Sequence, residues 1–212
     1  MRVGRFACIA ELYRTQGDLS AYEAMPGQYR LRMTVGDVVQ TQDFEILIDP
    51  RLRENAADPV AAYRELDTVS RRLFAEAQEM ERGVLELRRV GEQVDFLWEL
   101  TDDAEILEGA GELNEAMDEW ESRILQRYLE TSQNNYMFEA RLLVKYKDLL
   151  GRISGANIPV TTGVGEVAAD YGAQWAGHRT DLEALRERIR AFNEDLRAAG
   201  LPEIYMGPRA IS

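Results

Sequence analysis

The side chains best suited to chemistry in this sequence are a single histidine, His178, and a single cysteine, Cys8. His178 follows Trp175 by three residues and precedes Leu182 by four, the spacing of a helix face that packs against a neighbour. A zinc site takes about four Cys, His or carboxylate ligands, and a di-metal site in a bundle takes Glu-x-x-His on each of two helices. We therefore predict structural roles for both side chains and expect no metal and no cofactor.

Pairs of acidic side chains also occur at the spacing of one helical turn, as in Asp118 with Glu121 and Asp102 with Glu105. Acid–base catalysis requires a pocket that shifts the pKa of such groups, whereas a helix surface leaves them in solvent. The glycines at the start of the last predicted helix lack the preceding strand and the lysine of a phosphate-binding loop. The sequence indicates no catalytic residue, and we predict that the chain is not an enzyme.

The charge of the chain is negative and unevenly placed. The formal net charge is −13 at pH 7, which argues against nucleic acid as a partner because nucleic-acid binding needs clustered Lys and Arg. Between Glu92 and Glu121 there is no Lys or Arg. One interpretation is a solvated end of the helices that keeps the protein soluble. The other is a docking surface for a basic partner, with Glu105, Glu108 and Glu112 as partner-binding residues.

The elements that position these residues begin with a β-hairpin. From Tyr29 to Val35 apolar residues alternate with polar ones, the period of a strand, and the alternation resumes from Phe44 to Ile48. Gly36-Asp37 allows a tight turn between them. A further strand is predicted at 5–13. Because a closed sandwich needs about seven strands, the helices or another chain must cover this small sheet.

The chain from residue 58 to residue 200 has helical periodicity. Asp58-Pro59 is a typical start for the first helix, and Thr101-Asp102-Asp103 caps the second. A third helix begins near Phe138, and Thr161 or Thr162 starts a fourth that ends at Gly200. Apolar residues at spacings of three and four, with short turns between helices, predict an antiparallel up-down bundle.

The apolar faces of these helices predict the core. Gly83 and Gly91 in the first helix predict a bend or a close helix contact. The aromatic residues on the faces are expected to be buried, and any that are exposed would mark an interface. The predicted core includes Leu66, Val69, Leu73, Ala77, Met80, Val84, Leu87, Val94 and Trp98, then Ile106, Leu113, Met117, Trp120, Ile124 and Tyr128, then Leu142, Tyr146, Leu149 and Ile153, and finally Val164, Val167, Tyr171, Trp175, Leu182, Leu185, Ile189, Phe192 and Leu196.

These patterns predict an α+β protein in which a small N-terminal antiparallel β-sheet, a partial Ig-like sandwich, precedes a long antiparallel four-helix bundle. The predicted segments are a β-segment at 1–50, a linker at 51–57, the bundle at 58–200 and a tail at 201–212. The tail is apolar and is expected to fray if it is free. It adds Tyr205, Met206 and Ile211 to the predicted partner-binding residues.

Several motifs resemble a known bacterial family. They are P-G-x-Y-x-L-R-M-T-V-G-D at 26–37, T-Q-x-F-E-I at 41–46, D-P-R at 49–51 and G-L-P-x-I at 200–204. The sequence resembles the C-terminal region of proteins with sialidase-like or sortilin-like β-propellers, often described as glycosyl hydrolases. In that family an immunoglobulin- or fibronectin-like segment ends at D-P-R and a helical domain follows. The resemblance covers most of residues 26–204.

The features that would carry a hydrolase activity are missing. The propeller's Asp-box repeat, S-x-D-x-G-x-T-W, does not occur, and the family's N-x-P-I-x-L-N-N-K run is replaced by a different sequence at 135–145. No catalytic residue therefore carries over. We expect a non-catalytic structural or interaction subunit of a larger protein assembly. The alternative is an accessory C-terminal domain of a propeller-type glycosyl hydrolase.

The expected partners are other protein chains, including a chain that is itself associated with a membrane. No apolar run approaches the roughly 20 residues that span a bilayer, so no direct membrane span is predicted. No signal peptide is recognisable, and the sequence as written is expected to stay in the cytoplasm. A truncated start would instead be compatible with a place outside the cytoplasm.

Overall fold

The computed structural model describes residues 24–50, 57–126, 139–154 and 160–207. The predicted strand at 5–13, most of the predicted linker and the end of the tail lie outside these residues. The predicted α+β class is confirmed, because an antiparallel two-stranded sheet is followed by four helices. The elements are β1 (Gly27–Val35), β2 (Val38–Ile46), α1 (Pro59–Leu100), α2 (Ala104–Ile124), α3 (Leu142–Ser154) and α4 (Thr162–Ala198).

The hairpin forms as the alternation predicted. Gly27 pairs with Ile46 at its open end, and Val35 pairs with Val38 beside the turn. Gly36 occupies the turn with φ 56, a left-handed conformation that glycine adopts without a steric penalty. Because this register places Tyr29 opposite Phe44, their rings stack across the strands, with 5.7 Å between the ring centroids.

The predicted helix caps are confirmed. The Asp58 side chain accepts a hydrogen bond from the Ala61 amide at the start of α1, and Asp103 accepts from two amides at the start of α2. Thr161 caps α4. At the other end of α4, Gly200 has φ 72. These side chains satisfy backbone groups that a helix end leaves unpaired.

Two predicted boundaries are wrong. The second helix was expected to reach Tyr128, but α2 ends at Ile124 because Leu125 is extended, with φ −126 and ψ 146. The third helix was expected to begin near Phe138, but α3 begins at Leu142, and residues 139–141 are not helical. Tyr128 and Phe138 themselves lie outside the described residues.

The direction of α4 departs from a strictly alternating up-down order. Arg88 pairs with Glu121, and Asp95 pairs with Asn114, so α1 and α2 run antiparallel. Glu79 pairs with Arg179, and Glu86 pairs with Arg186. The residue numbers increase in the same direction along both helices, so α1 and α4 run parallel.

Both α2 and α3 lie on α1, one after the other. Arg88 of α1 contacts α2, whereas Glu76 and Glu81, more than a turn earlier, contact Tyr146 and Lys147 of α3. Together with α4, these helices enclose one continuous apolar core. A single core made from all four helices explains why the apolar faces recur over nearly the whole length of α1.

Most of the predicted core is confirmed, including Trp120 and Trp175, which are each 1% exposed. Trp98 is an exception at 46% exposure, because the apolar face advances by three residues from Val94 and places Leu97 in the core instead. Val167 of α4 is a second exception at 39% exposure, since the neighbouring Ala168 is buried in its place. The close contact predicted at Gly83 is also confirmed. A Cβ atom there would lie 2.8 Å from Leu182 Cδ2 and 3.1 Å from Trp120 Cη2.

Candidate interaction surfaces

His178, the histidine that first suggested chemistry, lies in a contact between two helices. His178 of α4 is half-buried, and its backbone oxygen accepts a hydrogen bond from Trp120 Nε1 at 2.8 Å. Burial lowers the pKa of His178, the positive charge of Arg123 lowers it further, and the carboxylate of Asp181 opposes both. This places His178 in the contact between α2 and α4. Cys8 lies outside the described residues.

The two acidic pairs predicted at the spacing of one helical turn lie in different environments. Glu121 is 5% exposed and accepts from Arg88 Nη2 at 2.6 Å, whereas Asp102 and Glu105 are exposed at the start of α2. A charge buried with its partner is costly to separate, so the pair of Arg88 and Glu121 fixes α1 against α2. In the part of the chain that the structure describes, no three His, Cys, Asp or Glu side chains gather to hold a metal ion.

Interhelical bonds from glutamates of α1 were not foreseen from the sequence. Tyr146 Oη donates a hydrogen bond to Glu76 Oε2 at 2.6 Å. Burial is the main cause that raises the pKa of the Tyr146 hydroxyl, and this hydrogen bond raises it further. Trp175 Nε1 donates to Glu79 Oε2 at 3.1 Å, and Arg179 pairs with the same oxygen. These contacts hold α3 and α4 on α1, which makes this cluster structural.

The hairpin presents an apolar surface to solvent. The side chains of Tyr29, Leu31, Met33, Val35, Val38 and Phe44 share one face in the observed register, together with Gln40 and Gln42, which pair with Met33 and Leu31. We call this the apolar hairpin face, because most of its side chains are apolar. The exposed fractions are 61% for Leu31, 54% for Met33 and 65% for Val35. The opposite face is polar apart from Val39 and carries an ion pair between Arg30 and Asp43. The hairpin is therefore amphipathic, with its apolar half uncovered by the described residues.

The described helices do not cover the apolar hairpin face. Among the described elements, β1 and β2 contact each other extensively and pack extensively on no helix. The connection on the helical side is a hydrogen bond of 3.5 Å from the Asp49 amide to Tyr63 Oη. Because a two-stranded hairpin alone is marginally stable in water, this face is the main candidate for contact with another chain.

The predicted acidic residues line one side of α2. Glu105, Glu108, Glu112 and Glu115 recur at spacings of three and four, and all four side chains are exposed; we call them the acidic stripe. Within the described ranges, none of the ion pairs involves these residues. Their unneutralised charge creates a negative field beside the end of α1.

Residues 201–207 pack against the helices and are not free, so the condition under which the tail was expected to fray is not met for them. Ile204 is 4% exposed, and Met206 is partly buried against the core. Tyr205 is 62% exposed. Ile211 lies outside the described residues. Of the three tail residues that were predicted to bind a partner, Tyr205 is the one whose side chain the structure places largely in solvent.

Comparison with known proteins finds no matching family model, no matching curated protein and no matching solved structure. Within the described ranges, none of the helices combines the length and the apolar character that crossing a bilayer requires. The surfaces of the molecule are therefore the basis for its proposed function.

Proposed function

We propose that this chain is a non-catalytic structural subunit that docks on another protein through the apolar hairpin face, while its helices form a rigid brace. The observation that carries the proposal is the exposure of that face. Leu31, Met33 and Val35 are all more than half exposed, and the described helices leave them uncovered. Contiguous exposed apolar side chains of this kind mark interaction surfaces.

Burial of this face supplies the energy for docking. Burying one large apolar side chain is worth roughly 1.5–3 kcal/mol, so four residues such as Leu31, Met33, Val35 and Val38 contribute several kcal/mol. The same burial stabilises the hairpin, which is marginal without a covering layer. A partner with an apolar sheet face fits best, because two sheets pack face to face at about 10 Å.

The acidic stripe gives the docking a direction. The negative charges along α2 attract a basic surface, and salt reduces the range of this attraction. They therefore affect the association rate more than the stability of the final complex. The triple variant Glu105→Lys, Glu108→Lys and Glu112→Lys should slow association at low salt, with a smaller effect at 0.5 M salt. Association rates that do not change would remove the stripe from the proposal.

The docking itself is tested with two variants on opposite faces of the hairpin. Met33→Glu places a charge in the apolar hairpin face, whereas Thr41→Glu places the same charge on the polar face beside Arg32. The tagged chain and both variants are isolated gently from their own source and measured by native mass spectrometry. We expect complexes of defined stoichiometry for the wild type and Thr41→Glu, and loss of the complex for Met33→Glu. A lone chain of 24.1 kDa in all three samples would contradict the proposal.

An accessory C-terminal domain of a propeller-type glycosyl hydrolase is the second candidate. It is supported by the order of the elements, a β-hairpin before Asp49-Pro50 and helices after it, as the resemblance implies. In that case the partner in the isolated complex is a propeller protein, and the complex hydrolyses glycosides. A complex with no glycosidase activity and no propeller chain would exclude this candidate and leave the first.

A further inference from the structure

The segment that follows α4 crosses from α4 to α1, and we call residues 201–205 the strap. Its path begins at Gly200, where φ 72 turns the chain, and the Leu201 amide bonds back to the Leu196 carbonyl at 2.9 Å. This helix ending fixes the direction in which the strap leaves α4. The strap then runs in an irregular, non-helical conformation to Tyr205.

Two side-chain amides hold the backbone of the strap. Asn193 of α4 accepts from the Ile204 amide at 2.7 Å and donates to the Ile204 carbonyl at 3.0 Å. Gln93 of α1 does the same to Tyr205, at 2.8 Å and 3.0 Å. Each amide therefore satisfies both backbone groups of one residue, as a neighbouring strand does for a peptide added to a sheet.

One side chain of the strap is buried in the core, whereas those of Pro202, Glu203 and Tyr205 are exposed. Ile204 is 4% exposed within the core, while the next residue, Tyr205, is 62% exposed. The Glu203 carboxylate receives two hydrogen bonds from Arg197, at 3.0 Å and 2.9 Å. Backbone capture combined with a buried anchor is how a groove recognises an extended peptide.

We propose that the groove between the ends of α1 and α4, lined by Gln93 and Asn193, is a binding site for extended peptides of the pattern Leu-Pro-Glu-Ile-Tyr. In the structure the strap occupies this site in cis. A second segment of the same pattern, supplied in trans, competes with it. The tether gives the strap an effective concentration on the order of millimolar, so a peptide in trans binds appreciably only when the strap is displaced.

The test uses the full-length chain with Ile204→Glu, which puts a charge on the buried anchor and so expels the strap. The probe is a labelled peptide, Leu-Pro-Glu-Ile-Tyr-Met-Gly, and binding is followed by fluorescence anisotropy. We expect the variant to bind the peptide at least about tenfold more tightly than the wild type does. Adding Asn193→Ala to the variant should abolish that gain. A variant that keeps its helical circular dichroism but binds no more tightly than the wild type overturns the proposal.

If Ile204→Glu does not fold, the unmodified chain provides the test. Amide exchange of Ile204 and Tyr205 is measured with and without unlabelled peptide at several millimolar. Because a bound peptide traps the open strap, exchange of both amides should accelerate in proportion to peptide concentration, while amides inside α1 stay unchanged. Exchange that is the same at every peptide concentration overturns the proposal.

Discussion

Tyr146 shows how single polar side chains determine the packing of this protein. Its ring is fully buried among α1, α3 and α4, and its hydroxyl reaches the carboxylate of Glu76. The neighbouring ring of Tyr171 contacts it at 5.7 Å. A buried hydroxyl without a partner is costly, so the bond to Glu76 specifies where α3 sits on α1.

Replacing Tyr146 with Phe should lower the free energy of unfolding by about 1.5–3 kcal/mol, because the hydrogen bond to the Glu76 carboxylate is lost. Urea denaturation measures the loss. Tyr171→Phe is the matched control, since the described residues give its hydroxyl no hydrogen bond, and it should change stability by less than about 0.5 kcal/mol. Equal losses in the two variants would contradict the assigned role of Tyr146.

His178 gives the stability a pH dependence. Burial and Arg123 lower the pKa of His178 in the folded state, against the partial opposition of Asp181. The folded protein thus binds the proton less readily than the unfolded chain. The contribution of neutral His178 is complete above the unfolded pKa of about 6.5 and is lost as the pH falls through the folded pKa.

The variant His178→Gln should remove that part of the pH dependence. The stability of the wild type relative to the variant should decrease as the pH falls from about 7.5 to about 5.5, because the variant has no group that titrates there. Urea denaturation at intervals across this range provides the comparison. A difference that stays constant, or that grows as the pH falls, would show that the pKa of His178 is not lowered by folding.

At the scale of the elements, Gly83 marks a close contact of α1 with both α2 and α4. The α1 backbone passes there between Leu182 of α4 and Trp120 of α2, which are 3% and 1% exposed. Glycine is a weak helix former, so its presence in the middle of α1 costs about 1 kcal/mol against alanine. The space it leaves is what allows three helices to meet.

Gly83→Ala should therefore destabilise the protein by about 1–3 kcal/mol, since the added methyl group displaces side chains that have no free volume around them. Gly177→Ala is the control, because a Cβ atom at that exposed position of α4 meets nothing within 4 Å. The control should stabilise the protein by up to about 1 kcal/mol. Thermal unfolding separates the two, and the same sign of change in both would contradict the close contact.

Local signals predicted the elements well, because their causes lie within a few residues. The turn at Gly36, the caps at Asp58 and Asp103, and the end of α4 at Gly200 all depend on neighbouring backbone geometry. The early end of α2 could not be read in this way, because the apolar pattern continues past Leu125. After Val94, a spacing of three places Leu97 on the buried face and a spacing of four would place Trp98 there. Which of the two is buried depends on the packing of the neighbouring helices.

The contacts that join distant parts of the chain were not predictable from single residues. Gln93 forms a hydrogen bond with Tyr205, 112 positions further along the chain, and neither residue type predicts this contact. The parallel course of α1 and α4 likewise depends on ion pairs between distant residues, from Glu79 to Arg179 and from Glu86 to Arg186, which no local pattern predicts. For the candidate surfaces, the composition of the hairpin and of the acidic stripe could be predicted from the sequence. Whether the helices would cover the hairpin required the tertiary structure.

At the scale of the whole molecule, this chain combines a well-packed helical body with a hairpin that the described helices leave uncovered. The helices share one core, and the strap closes the contact of α1 with α4 through Gln93 and Asn193. The hairpin, by contrast, packs extensively on none of the described helices. We infer that the helical body is stable alone and that the hairpin gains its stability on docking.

Amide hydrogen exchange of residues 27–46 tests this account most directly, measured in the lone purified chain and in the complex isolated from its own source. The account predicts rapid exchange across the hairpin in the lone chain, slowing by at least about tenfold in the complex, while residues 73–97 of α1 exchange slowly in both. Equal protection of the hairpin in the two samples would contradict the claim that the apolar hairpin face is a docking surface.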